Sequence, residues 1–126
     1  MKRRTVLAGT AALAATAAIA AEVPKQRLYG LIGQMIAKPG KRDDLAAILT
    51  AATTAMPGCL SDIVAGDAAN PDGLWITEVW TDAAHHAASL KLPAVQSAIT
   101  QARPIIAGFG QRFETVPVGG VGLGPS

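Results

Sequence analysis

Cysteine is almost absent from this chain: Cys59 is the single thiol in 126 residues. One thiol excludes an intramolecular disulfide. The only histidines, His85 and His86, are adjacent, and with a lone cysteine they cannot build a tetrahedral zinc site. Aromatic residues are scarce as well, with two Trp, two Phe and one Tyr. A pocket walled by rings for a polycyclic ligand therefore has little to draw on. Asp67, Asn70 and Asp72 lack the spacing of a calcium loop and read as a hairpin turn. No internal repeat of about 20–50 residues is present, and the length leaves room for one domain.

What is present begins with the amino-terminal segment. Lys2, Arg3 and Arg4 precede an alanine-rich apolar run, and Ala18-Ile19-Ala20 offers a small-residue cleavage site. This is the layout of an export signal over residues 1–21. The adjacent arginines suggest the twin-arginine route, and the destination is then periplasmic or secreted. The run from Val6 to Ala21 is 16 residues, short of the ~20 of a membrane span. An uncleaved anchor is the alternative reading. Removing Lys2, Arg3 and Arg4 from the 11 basic residues leaves eight against nine acids, a net charge of −1. The processed chain thus has no basic field for a nucleic acid and no expected stable membrane association.

The rest divides by hydrophobic period. Residues 27–40 read as a strand ending at Pro39-Gly40. Residues 41–56 read as a helix, with Leu45, Ile48, Leu49, Ala52 and Met56 at helical spacing, Asp43 and Asp44 in its first turn, and Pro57-Gly58 as its stop. "CLSDIVAGD" is a short strand, and "LWITEVWT", residues 74–81, is the strongest one. A helix follows from Thr81 or Asp82, and a second begins at Pro93. Residues 104–118 form a last strand loosened at Gly108 and Gly110, and 118–126 is a glycine-rich tail. The order predicts an α+β fold: a ferredoxin-like split βαβ subunit with an antiparallel four-stranded sheet and helices on one face. Alternation places Trp75 and Trp80 on opposite faces of the sheet. Both faces then need cover, and a second copy of the chain is the simplest cover, so a homodimer is expected.

The candidate site lies at "EVWTDAAHHAASL". With Asp82 as N-cap, Ala83, His86, Ala87 and Leu90 share one helix face, while Asp82, His85 and Ser89 share a polar one. His86 is the inward histidine and His85 the solvated one. An imidazole near the positive helix end is favoured in its neutral form and can take a proton from a phenol or carbon acid. The purely structural alternative is a capping or rim histidine. Trp80 is a candidate pocket wall, although most strand tryptophans simply pack. Glu78 shares its face and needs a partner or a solvated cavity, with Arg103 and Arg112 as candidates. Cys59 reads as a small buried hydrophobe.

Four stretches, "AKPGKRDDL", "MPGCLSD", "LWITEVWTDAAHHAASLKLPAV" and "RPIIAGF…ETVPVGG", together resemble the antibiotic biosynthesis monooxygenase (ABM) family, which includes quinol monooxygenases. The resemblance runs from about Leu28 to Gly120, within a domain taken as 25–120. It implies a dimeric α/β barrel of ferredoxin-like subunits. It further implies oxidation of a small aromatic quinol or phenol by O2 without metal, flavin or other cofactor. By position, Trp80 and His86 carry over as catalytic residues, with Glu78, Arg103 and Arg112 as substrate contacts. One departure is Asp62, where relatives often carry an aromatic. The Asn-Trp-His set of the haem-degrading relatives is replaced by Gly33, Ser89 and Ile99, which argues against haem degradation. A non-catalytic ligand-binding dimer, and a lyase or isomerase on the same scaffold, are the alternatives.

Overall fold

A computed structural model describes residues 27–123. The export segment expected over residues 1–21 lies outside them, as do the last three residues of the tail. The strands are β1 (Tyr29–Ala37), β2 (Cys59–Gly66), β3 (Gly73–Trp80) and β4 (Ile106–Thr115). The helices are α1 (Arg42–Ala51), α2 (Ala83–Ser89) and α3 (Pro93–Ala102), with a short 3-10 turn over Arg103–Ile105. All neighbouring strands pair antiparallel in the order β2-β3-β1-β4. This is the ferredoxin-like α+β arrangement expected from the order of elements.

Register and burial divide the sheet into two faces. Leu74, Ile76 and Trp80 of β3 are buried beneath the helices, with Leu31 and Ala37 of β1. Ala37, Leu45, Leu74, Ile76 and Ala102 form the central cluster, and α1 contributes Leu45 at 0 % exposure. The opposite face carries Trp75, aligned with Gln34 on one side and Ala65 on the other. Ile63 and Phe113 belong to that face and are exposed. The two tryptophans thus point to opposite sides, as alternation predicts. On the open side Asp67 fastens the hairpin loop to the sheet: its Oδ2 accepts from the Trp75 indole at 3.0 Å and from Gln34 Nε2 at 3.2 Å. Those bonds, with that from the Ala69 amide, hold the Asp67 carboxyl below the usual carboxylate range.

Three local features differ from, or refine, the sequence expectation. α1 ends at Ala51 and does not reach Met56. The Thr50 hydroxyl donates to Ala46 O at 3.0 Å and the Thr53 hydroxyl to Thr50 O at 2.8 Å, so β-branched polar residues compete for carbonyls in the last turn. In α2 His86 and Leu90 both line the space above the sheet, as their shared face predicts, but the buried residue is Ser89, 4 % exposed, and not Leu90, 45 % exposed. The Ser89 hydroxyl donates to His86 O at 2.6 Å, which satisfies it locally and lets a small polar side chain face the sheet. In β4 the register shifts twice against β1, with one extra residue between Phe109 and Arg112 and one between Ile106 and Gly108. These bulges sit where the glycines suggested.

Leu45 tests the core. Leu45→Ala removes a fully buried side chain from α1. The expected loss is about 3 kcal/mol of unfolding free energy in urea titration. A loss under about 1 kcal/mol would place the core elsewhere.

Candidate functional site

The helix layer does not fill the space above the sheet. α3 presents Ala98 and Ala102 with Val95 and Ile99, and α1 presents Leu49, with Ala52 just past its end, against Met35, Val64 and Ile76 of the strands. Alanine at the closest positions leaves a cavity of about 690 Å³, within the usual range of small-molecule sites. The early end of α1 matters here, because Thr53 and Met56 beyond it also line the space. Phe109, exposed on β4, is the one Phe, Tyr or Trp among the lining residues.

Few polar groups interrupt this apolar lining, and two of them are carboxylates. Asp62 of β2 and Glu78 of β3 are directly opposed across the hairpin, and both line the cavity. Glu78 Oε1 accepts a hydrogen bond from the Trp80 indole at 3.0 Å. Asp62 Oδ1 is shielded from solvent and has no hydrogen-bond partner among the described residues. Burial, and secondarily the neighbouring Glu78, push the Asp62 carboxyl up to about 7. The cavity thus contains a carboxyl group whose surroundings disfavour its charged form.

The histidine doublet separates cleanly. His85 turns away from the cavity: its Nδ1 lies 2.7 Å from Asp82 Oδ1 and 3.3 Å from the Thr81 hydroxyl. Asp82 caps α2 by accepting from the His85 amide at 2.8 Å, as the sequence expected. The His85 ring also packs on Gly58, whose φ is +82° and where a Cβ would lie 2.5 Å from the imidazole. His85 therefore locks the α1–β2 turn to the start of α2. His86 lines the cavity. Its ring stands between Tyr29, at 5.4 Å between centroids, and Trp80, at 5.5 Å and edge-on. Neither ring nitrogen of His86 has a hydrogen-bond partner among the described residues.

The other candidates are placed differently. Trp80 is fully buried and lies behind the cavity wall, where it holds Glu78 and abuts His86. Its indole supplies the partner expected for Glu78 from Arg103 or Arg112. Arg103 lines the cavity but is exposed, at its rim. Arg112 is outside the lining, 3.8 Å from Glu114 on the exposed edge strand. Cys59 is half-buried, and burial, with Asp62 and Glu78 nearby, pushes its thiol up, which suits an inert side chain. Asp62 is the residue that sequence reasoning did not assign to the site. Alternation along "CLSDIVAG" puts it on the face of Val64, but its meeting with Glu78 depends on the hairpin register.

The comparisons with known proteins agree with this architecture. The family model described as "Antibiotic biosynthesis monooxygenase" matches residues 28–101. Among solved structures, a protein from Chloroflexus aurantiacus J-10-fl named for the same family is 57 % identical. Its match covers 77 % of this chain and 99 % of the other, with a TM-score of 0.75. A Caulobacter crescentus CB15 protein named likewise is 14 % identical, covered over 75 % of this chain and 92 % of its own, with a TM-score of 0.68. A protein from Pseudomonas aeruginosa is 18 % identical over 75 % of this chain and 97 % of its own, with a TM-score of 0.64. The last two show the shared fold alone. No curated protein matches the chain.

The raised Asp62 carboxyl has a stability consequence. The folded chain holds this proton to higher pH than the unfolded chain, so it binds more protons between 3.8 and about 7. Stability therefore falls as pH rises through that window, by on the order of 1–2 kcal/mol after discounting for partial solvent exposure. Asp62→Asn is expected to flatten that part of the profile and to exceed the parent in stability at pH 8. Urea titrations of both proteins at pH 5 and pH 8 check this, and parallel profiles would rule it out.

Proposed function

The chain belongs to the antibiotic biosynthesis monooxygenase family, and on that footing we propose that it oxidises a small aromatic quinol or phenol with O2, without a metal or organic cofactor. The family match and the monooxygenase names of its structural relatives support a monooxygenase-like function in general. The observation that carries the finer reading is the apolar cavity with His86 in its lining, neither imidazole nitrogen having a hydrogen-bond partner among the described residues. His86 takes the phenolic proton: the O–H bond breaks, an N–H bond forms, and the electron pair stays on the phenolate oxygen. The electron-rich phenolate is then the reductant of oxygen. For a simple 1,4-hydroquinone the balance is one quinol and one O2 giving one hydroxylated quinone and one water. The substrate supplies every electron, so no further reductant enters.

Other residues support this chemistry. The apolar walls keep water from the reacting atoms. Trp80 acts as a positioning residue, setting the carboxylate of Glu78 and the edge of the His86 ring. Glu78 and, at the rim, Arg103 are the substrate contacts retained from the sequence reading. In this reading a second copy of the chain covers the open sheet face. The support is its apolar surface, with Ile63 57 % and Phe113 49 % exposed around a half-buried Trp75. The amino-terminal segment of residues 1–21 supports export to the periplasm.

Oxygen uptake by the purified protein with a panel of hydroquinones tests the reaction. His86→Ala is expected to lower kcat/KM by on the order of 10²-fold. Unchanged uptake in that variant removes His86 from the mechanism, ligand binding without turnover favours a binding protein, and anaerobic conversion favours a lyase or isomerase. For the assembly, sedimentation is expected to give twice the chain mass, and Ile63→Lys to bring it to the single-chain mass. A monomeric parent protein would end the dimer proposal.

A further inference from the structure

A carboxylate oxygen in the cavity wall has an unmet polar demand. Asp62 Oδ1 is shut off from solvent and lacks a hydrogen-bond partner among the described residues, whereas nearly all buried polar atoms in folded proteins have one. The same side chain lines the cavity, and rotation of its carboxyl group brings this oxygen to a ligand bound there. We propose that Asp62 is the acceptor for a hydroxyl group of the substrate, selecting an apolar molecule with a neutral O–H donor over the bare hydrocarbon and over the matching anion. The inference rests on this cavity being the substrate site, as in the proposed function, but not on any reaction with oxygen.

The surroundings of Asp62 argue for a hydroxyl. Glu78 stands directly across the hairpin on the same face, so an anionic ligand group would meet two carboxylates. Glu78 Oε1 already accepts from the Trp80 indole, whereas Asp62 Oδ1 accepts from no group among the described residues. The adjoining walls are Met35, Val64 and Ile76. An ammonium group would give up strong hydration to enter that space, and a hydroxyl gives up much less. The hydroxyl also finds a partner there that the bare hydrocarbon cannot use. A hydroxyl-for-nothing exchange is the kind of difference that buried polar sites discriminate well, because a missing donor leaves the acceptor unpaired.

The test is a set of binding measurements by calorimetry under argon, using the full chain with naphthalene, 1-naphthol, 1-naphthoate and 1-naphthylmethylamine. The parent protein is expected to prefer 1-naphthol to naphthalene by about tenfold or more, and to bind 1-naphthoate more weakly than either. Asp62→Leu, close in volume, is expected to bring the naphthol-to-naphthalene ratio to about one while naphthalene still binds. Asp62→Asn, which keeps an acceptor oxygen, is expected to keep part of the preference and carries the test should the leucine variant fail to fold. A full preference in Asp62→Leu overturns the proposal. So does tighter binding of the amine than of naphthol, or no binding of naphthol by the parent protein. Asp62-dependent selection without oxygen uptake leaves this inference standing and removes the oxygenase reading. Hydroquinone-dependent uptake with selection independent of Asp62 does the reverse.

Discussion

The hydrogen bond from the Trp80 indole to Glu78, 3.0 Å long, is the contact on which the site depends. Trp80 is the largest fully buried side chain, and its N–H needs a partner away from water. Glu78, two residues earlier on the same strand face, provides that partner. The carboxylate is thereby held beneath the helices instead of reaching solvent, and it lies directly opposite Asp62. The indole edge also bounds the His86 ring. One internal bond on β3 thus places the polar groups of the cavity relative to one another.

The cavity itself follows from side-chain size. A four-stranded sheet roofed by three short helices needs bulky side chains to close the gap, and here the roof includes alanine at Ala52, Ala98 and Ala102. The apolar space of about 690 Å³ beneath the helices has the size of a small-molecule site. Scarce aromatics, noted at first as a limit on the substrate, are also what leaves the room open. The same shortage makes the few rings consequential. Trp80 sets the carboxylate, Tyr29 and Trp80 flank His86, and Trp75 is tied to Asp67 on the opposite face.

Much of this was legible from the residues. The order of elements, the opposed tryptophans, the Asp82 cap and the bulges near Gly108 and Gly110 follow from local period and turn chemistry, which act within a few residues. The split between the histidines was legible too, since adjacent residues on a helix point in different directions. Less legible were the end of α1, decided by competition among threonine hydroxyls, and the burial of Ser89 in place of Leu90.

The sequence by itself determined the fold and the inward histidine, because patterning and helical geometry depend on neighbours along the chain. The tertiary structure alone decided that Trp80 stands behind the wall, that Arg112 belongs to Glu114, and that Asp62 faces Glu78 in an apolar cavity. Those facts depend on hairpin register and helix placement. Groups 16 residues apart in the chain become neighbours only when the strands pair, and only burial then makes their charges costly.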